Sequence, residues 1–326
     1  MSAKSARKAL VAAVLAASSL VPLAVPASAA TYPLCAARVV QHFDLDQGQT
    51  PESMVFAPDG TAYVTFAKAR QIAEIKPGGR IRVLATLPAP ADGGVNTPAL
   101  GFPLTVGIER AADGTLYFLY ATGTADLTGV WSLRPGGTPR RIAALPAGSL
   151  PNGIALGQRT LYVADSTGAV WQVPASGGTA TVWSSDQALA PAGFLGANGL
   201  RLRDGAVWVT NLDQGTIVRI PLRANGTAGG AQVVATGLTG IDDFVFTGRG
   251  TEIIAALDTV NQVALVRPDG THTVVLTAAD GLQGPTTVAV RGRDVYVPSA
   301  AYLTGTDPNM LRARLVTSTP RPPASR

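Results

Sequence analysis

Short runs of apolar β-formers alternate with pairs of turn residues along nearly the whole chain. SMVFAP is followed by Asp59-Gly60, then by TAYVTFA, QIAEIKP, the pair Gly78-Gly79 and RIRVLATL. Aromatic and β-branched residues sit inside each run and glycine-containing pairs between them, the pattern of strands joined by hairpin turns. The same phrase recurs as GIERAADG, TLYFLYA, VWSLRPGG, RRIAAL, and then as GIALGQR, TLYVADS, AVWQVPASGG, TATVWS. It returns as GLRLRDG, AVWVTNLDQG, TIVRIPL, AQVVATGL and as DFVFTGRG, TEIIAALD, NQVALVRPDG, THTVVLT. No apolar period of 3.6 residues persists for three turns, so the pattern predicts strand throughout.

The phrases are evenly spaced. PESMVF, PNGIAL, ANGLRL, IDDFVF and PTTVAV place Glu52, Asn152, Asn198, Asp242 and Thr286 at one phase, with separations of 46, 44 and 44 residues from Asn152 onward. The interval of 100 residues between Glu52 and Asn152 holds one further unit, LTVGIERAADG around Val106. Six units of four strands predict an all-β, six-bladed β-propeller. The last unit has three strands, TTVAVRG, DVYVPSA and MLRARLV, while residues 37–45, ARVVQHFDL, form a strand without a unit. Adding that N-terminal strand to the last blade closes the ring and covers an exposed sheet edge. An open solenoid or a sandwich is the rival, and neither needs this completion.

Residues 1–30 have a different composition. Lys4, Arg7 and Lys8 precede an apolar stretch over residues 9–25, and Pro26-Ala27-Ser28-Ala29-Ala30 supplies small residues for cleavage near Ala29 or Ala30. This is the pattern of an export signal peptide. Pro22 and Pro26 interrupt the run, and no second stretch of spanning length follows, so no membrane association is expected after cleavage. Cleavage lowers the formal charge from +5 to +2. No basic run interleaved with aromatics remains, which argues against nucleic acid. Residues 31–316 form the propeller as one domain, despite a length that suggests two. Residues 317–326 are a flexible, Pro-rich tail. The one cysteine, Cys35, allows no internal disulfide and has no His nearby in sequence to make it a nucleophile. A secreted monomer is expected.

In a propeller the first strand of each blade lines the central channel, so Glu52, Val106, Asn152, Asn198, Asp242 and Thr286 should form a ring. Four of the six offer hard oxygens, two carboxylates and two amide carbonyls, without His or Cys. That donor set suits one divalent cation, calcium in preference to magnesium or manganese. Taken singly, Asn152-Gly153 and Asn198-Gly199 are ordinary turn dipeptides, Asp242 a loop cap and Glu52 a solvated charge. Their shared phase carries the argument, because Asp59-Gly60, Asp113-Gly114, Asp204-Gly205 and Asp269-Gly270 fall at hairpin turns instead.

The openings PESMVF, PNGIAL, ANGLRL and IDDFVF, with strands such as TLYVADS and AVWVTN, resemble the gluconolactonase, senescence-marker-protein and luciferin-regenerating-enzyme family. The resemblance covers the chain after residue 30 and rests on short motifs shared with neighbouring propeller families. It implies a six-bladed propeller that hydrolyses lactones or related esters around a central ion. The ion's ligands would be Glu52, Asn152, Asn198 and Asp242, with Asp242 also acting as catalytic base or nucleophile. Asp243 departs from the family, where many members have Gly, and so competes with Asp242 for the ion. Only His42 and His272 occur in the chain, on an outer strand in each case, which disfavours histidine mechanisms and a Ser-His-Asp triad.

The expected function is a secreted, divalent-metal-dependent hydrolase of a lactone or small ester, acting on a small-molecule substrate. Rim loops at residues 96–102, 123–129, 188–195 and 302–307 are mostly small and apolar, and fit a modestly hydrophobic substrate. The alternative is a non-catalytic propeller that binds a ligand or protein around a structural ion. A third is a lyase or condensing enzyme of the streptogramin-lyase or strictosidine-synthase kind; GTIVRIPL and NQVALVRPDG resemble the former, without the His or differently placed Glu those enzymes use.

Overall fold

The computed structural model describes residues 34–316. The expected signal at 1–30 and the tail at 317–326 lie outside the described residues.

Twenty-four strands form six antiparallel four-stranded sheets. Blade 1 is β2 (Pro51–Phe56), β3 (Ala62–Phe66), β4 (Gln71–Ile75) and β5 (Ile81–Thr86). Blade 2 is β6 (Leu104–Arg110), β7 (Leu116–Ala121), β8 (Gly129–Leu133) and β9 (Arg140–Ala144). Blade 3 is β10 (Pro151–Leu156), β11 (Thr160–Asp165), β12 (Ala169–Pro174) and β13 (Thr181–Ser184). Blade 4 is β14 (Ala197–Arg203), β15 (Ala206–Asn211), β16 (Thr216–Pro221) and β17 (Gln232–Ala235). Blade 5 is β18 (Ile241–Phe246), β19 (Ile253–Leu257), β20 (Gln262–Val266) and β21 (His272–Leu276).

Blade 6 joins the two ends of the described chain. Its order is β1 (Leu34–His42), β24 (Asn309–Leu315), β23 (Asp294–Ser299) and β22 (Ala289–Arg291). β1 runs antiparallel to β24, from Leu34 opposite Leu315 to His42 opposite Asn309.

Burial grades from the axis outward, and the sequence pattern follows it. The second strands are buried on both faces and read as continuous apolar runs, as in AVWVTN of β15, where every residue is buried. The outer strands alternate or lie open, as in β5 and β13. The core therefore sits between neighbouring sheets. One cluster joins Met54, Val64 and Phe66 of blade 1 to Ala289 and Met310 of blade 6. Another joins Tyr162 and Val170 of blade 3 to Leu200, Val209 and Val218 of blade 4. Stacking sheets in a closed circle is how each short blade buries its apolar faces.

The innermost strands share one irregularity. Their pairing with the second strand slips at Pro51/Ser53, Val106/Ile108, Pro151/Ile154, Ala197/Leu200 and Ile241/Phe244. These slips are β-bulges, which bend a strand and re-aim side chains. In blade 6 the interruption is wider. Pro285 makes an isolated bridge to Ser299 and the ladder resumes only at Ala289, so this innermost strand is shorter than the run TTVAVRG predicts.

Candidate metal centre

The bulges fall on the ring positions. Glu52, Asn152, Asn198 and Asp242 each lie within the slipped segment of its blade, one at the start of each of β2, β10, β14 and β18. The two asparagines are thus strand residues at a bulge rather than inter-blade turns.

The next position on each strand explains how four blades come so close. It is Ser53, Gly107, Gly153, Gly199, Asp243 and Thr287 in chain order. A methyl group on Gly153 would overlap the carbonyl oxygen of Asn198 and crowd the Leu200 nitrogen, and one on Gly107 would overlap the carbonyl oxygen of Asn152. The glycines of blades 2 and 3 let those innermost strands lie against the next one, backbone on backbone. Buried hydroxyls stitch the same layer. Ser166 Oγ donates to the Ala197 carbonyl at 2.9 Å, Thr210 Oγ1 to that of Asp242 at 2.6 Å, and Thr286 Oγ1 to that of Pro51 at 2.8 Å.

Glu52, Asn152, Asp242, Asp243 and Thr286 line one axial cavity of about 10 Å³. That is room for about one water or one ion. Asn198 is not among its lining residues, although its neighbour Gly199 is. Its side chain is buried nonetheless, 1 % exposed, and its Oδ1 has no hydrogen-bond partner.

Asp242 and Asp243 have separate roles. Asp243 Oδ2 accepts from Arg201 Nη2 and from Thr287 Oγ1, both at 2.6 Å. The side chain occupies the space that Gly199 leaves, since a Cβ there would meet the Asp243 carboxylate. Asp243 is thereby committed to an ion pair in the cavity wall. Its other oxygen, Oδ1, is buried and unbonded. Among the described residues, no hydrogen bond or ion pair engages the Asp242 carboxylate.

The centre is crowded with acid. Burial raises Glu52 to about 8, and although a Tyr302 hydrogen bond pulls it down, repulsion from Asp258 and Asp243 adds to the rise. Burial, then the Glu52, Asp258 and Asp243 charges, pushes Asp242 far above the usual carboxylate range. Burial raises Asp258 to about 6. Tyr302 donates its hydroxyl to Glu52 Oε2 at 2.7 Å, and burial beside that carboxylate pushes the phenol upward.

Sequence reasoning missed three of these residues. Asp258 follows the second strand of blade 5, where blades 3 and 4 carry Ser166 and Leu212, and it is the one acid at that phase. Arg201 and Thr287 gave no signal, because their partner Asp243 comes from another blade. Tyr302, expected on the rim, turns inward to Glu52. His42 ends the outermost strand of blade 6 and meets Asp307 Oδ1 at 2.5 Å, with 68 % of its side chain exposed. His272 opens the outer strand β21 and is exposed.

A cation fits these residues. Two buried carboxylates without a cationic partner and a buried amide oxygen without a donor are costly alone and are satisfied together by a hard ion. No three His, Cys, Asp or Glu side chains gather in ligating geometry among the described residues, so the amide oxygens are needed to complete the set.

Solved structures share this architecture. A catalytically inactive histidine-to-alanine variant of virginiamycin B lyase from Staphylococcus aureus aligns with a TM-score of 0.58 at 18 % identity, over 82 % of each chain. A gluconolactonase from Xanthomonas campestris aligns at 0.62 and 14 % identity, over 83 % of this chain and 87 % of that one. Regucalcin, a calcium-binding protein from Agrobacterium tumefaciens, aligns at 0.62 and 18 % identity, over 86 % and 94 %. This chain has the six-bladed propeller fold of the gluconolactonase and regucalcin type. No protein-family model matches the chain, and a search among curated proteins finds no match.

Proposed function

We propose that this chain is an exported, divalent-cation-dependent hydrolase of a lactone or small ester. The observation that carries the reading is that Glu52 and Asp242, both buried and without a cationic partner, line one axial cavity, beside the unbonded Oδ1 of buried Asn198. Glu52, Asn152, Asn198 and Asp242 would hold the ion, calcium first among the choices, and once bound it would polarise a substrate carbonyl and stabilise the oxyanion. Asp242 takes the proton of the attacking water on its free carboxylate. Tyr302 keeps Glu52 oriented and favours its charged form. The Arg201–Asp243 pair fixes the residue next to Asp242 on the same bulge.

The mouth supports a substrate with apolar surface. Val95, Phe194, Val260 and Leu303 are exposed there, 67, 47, 38 and 70 % respectively. Lys68 lies 5.6 Å from the Phe102 ring and 5.5 Å from the Tyr302 ring.

Purified protein assayed on a lactone and ester panel, before and after chelation, tests the proposal. Turnover should vanish with the metal, and Asp242→Ala should abolish it while the variant still melts cooperatively. An Asp242→Ala enzyme with the native rate removes Asp242 from the mechanism. The tight cavity favours a second reading, a calcium-pinned propeller without catalysis. It predicts a calcium-dependent rise in melting temperature with no turnover on any panel member.

A further inference from the structure

We propose that the face opposite the mouth docks this propeller onto an anionic phospholipid membrane, with the mouth turned away from the lipid. The described residues contain all 21 acids and every basic residue except Lys4, Arg7, Lys8, Arg321 and Arg326, so they carry no net charge. The fold separates that balanced charge along its axis. Loops at the mouth carry nine acids against Lys68 and Arg70. Loops at the opposite end carry eight basic residues against five acids, and the strand ends beside them add Arg110, Arg140, Arg203 and Arg291 against Asp294, Arg203 being paired with Asp204.

The basic residues are distributed as well as numerous. Arg80, Arg134, Arg159, Arg223, Arg267 and Arg293 sit one to a blade on these turns, all exposed. None has a carboxylate within 4 Å among the described residues. Hollows open between blades at this end, and basic side chains line them alongside Glu74, Asp204 and Asp113. Blades 3 and 4 enclose about 660 Å³ beside Arg159, Arg203 and Arg223. Blades 2 and 3 enclose about 490 Å³ beside Arg134 and Arg140, and blades 6 and 1 about 450 Å³ beside Lys76, Arg291 and Arg312.

Guanidinium groups match phosphate oxygens in geometry and charge. The grooves radiate from the axis, so one polymer strand cannot occupy them together, whereas a planar array of phosphate headgroups reaches all of them. Both ends of the described chain, Leu34 and Val316, also lie at this face. The mouth's acids would be repelled by the same surface, which fixes the orientation.

Vesicle sedimentation tests the proposal on the full chain. Vesicles of phosphatidylglycerol with phosphatidylcholine should bind it, and phosphatidylcholine alone should not. Raising salt from about 0.1 M to about 1 M, which shortens the screening length from about 10 Å to about 3 Å, should release it. The double variant Arg159→Gln/Arg223→Gln should lose about thirtyfold in partitioning, with an unchanged melting temperature. Cys35 is the sole cysteine, is exposed, and lies on β1, which begins at this face. A polarity-sensitive dye on its thiol should shift to the blue with anionic vesicles only. Equal binding to neutral vesicles, insensitivity to salt, or an unaffected double variant each overturns the proposal. So does binding to heparin or DNA without binding to vesicles.

Discussion

Replacing Asn198 by leucine should make the metal-free protein more stable and the calcium-treated protein less so. Asn198 is 1 % exposed, and its Oδ1 has no donor within reach. A buried acceptor left unmade costs about 1–3 kcal/mol. Leucine has a similar branched shape and no acceptor, so in a chelator the variant should recover an amount of that order. In a domain of this size each kcal/mol corresponds to roughly 2–4 °C in melting temperature, which makes the gain measurable by thermal or urea denaturation. Calcium at a hundredfold over its Kd stabilises a binding protein by about 2.7 kcal/mol, and a variant lacking one ligand should forfeit most of that. The order of stability should therefore invert between chelator and calcium. A leucine variant that is less stable in chelator and keeps the native calcium shift would make Asn198 an ordinary buried residue and refute the reasoning.

Tyr302→Phe removes a charge-assisted hydrogen bond to Glu52, a contribution of about 1.5–3 kcal/mol, so calcium titration by calorimetry should show an affinity at least tenfold weaker. An affinity within twofold of native would separate Tyr302 from the site. In chelator, stability should fall as pH rises from about 5 to about 8.5, because Glu52 is raised to about 8 and Asp258 to about 6. Groups raised on folding contribute fully below their unfolded values of 4.5 and 3.8 and lose that contribution as pH passes the folded ones. Calcium should flatten the decline, and a flat profile in chelator would contradict these assignments. Gly153→Ala should destabilise by about 1–3 kcal/mol or more in urea unfolding, since its methyl group has only the Asn198–Leu200 backbone to meet. A neutral effect there would refute close backbone packing between the inner strands of blades 3 and 4.

Blade number and the order of strands and turns were legible in the chain because each strand's pattern reports its own burial and each turn its own backbone requirement. PNGIAL and ANGLRL announced their blades through local chemistry alone. The phase of Glu52, Asn152, Asn198 and Asp242 was legible for the same reason, as repetition is a property of one dimension. Local pattern could not say that the ring residues sit on bulges, since a register slip appears only when two strands pair.

It was equally silent on the choice between Asp242 and Asp243. Two neighbouring acids look alike in sequence, and they differ here because Arg201 from blade 4 and Thr287 from blade 6 reach one and leave the other. Composition likewise reported a near-neutral chain without a basic tract, which argued against nucleic acid. The amino-acid order by itself determined the strands, the repeat and the acids that face the axis. Only the tertiary structure decided which acid stays free and that the arginines share one face, because electrostatic energy depends on distance in space, and closing the ring gathers charges that lie dozens of residues apart along the chain.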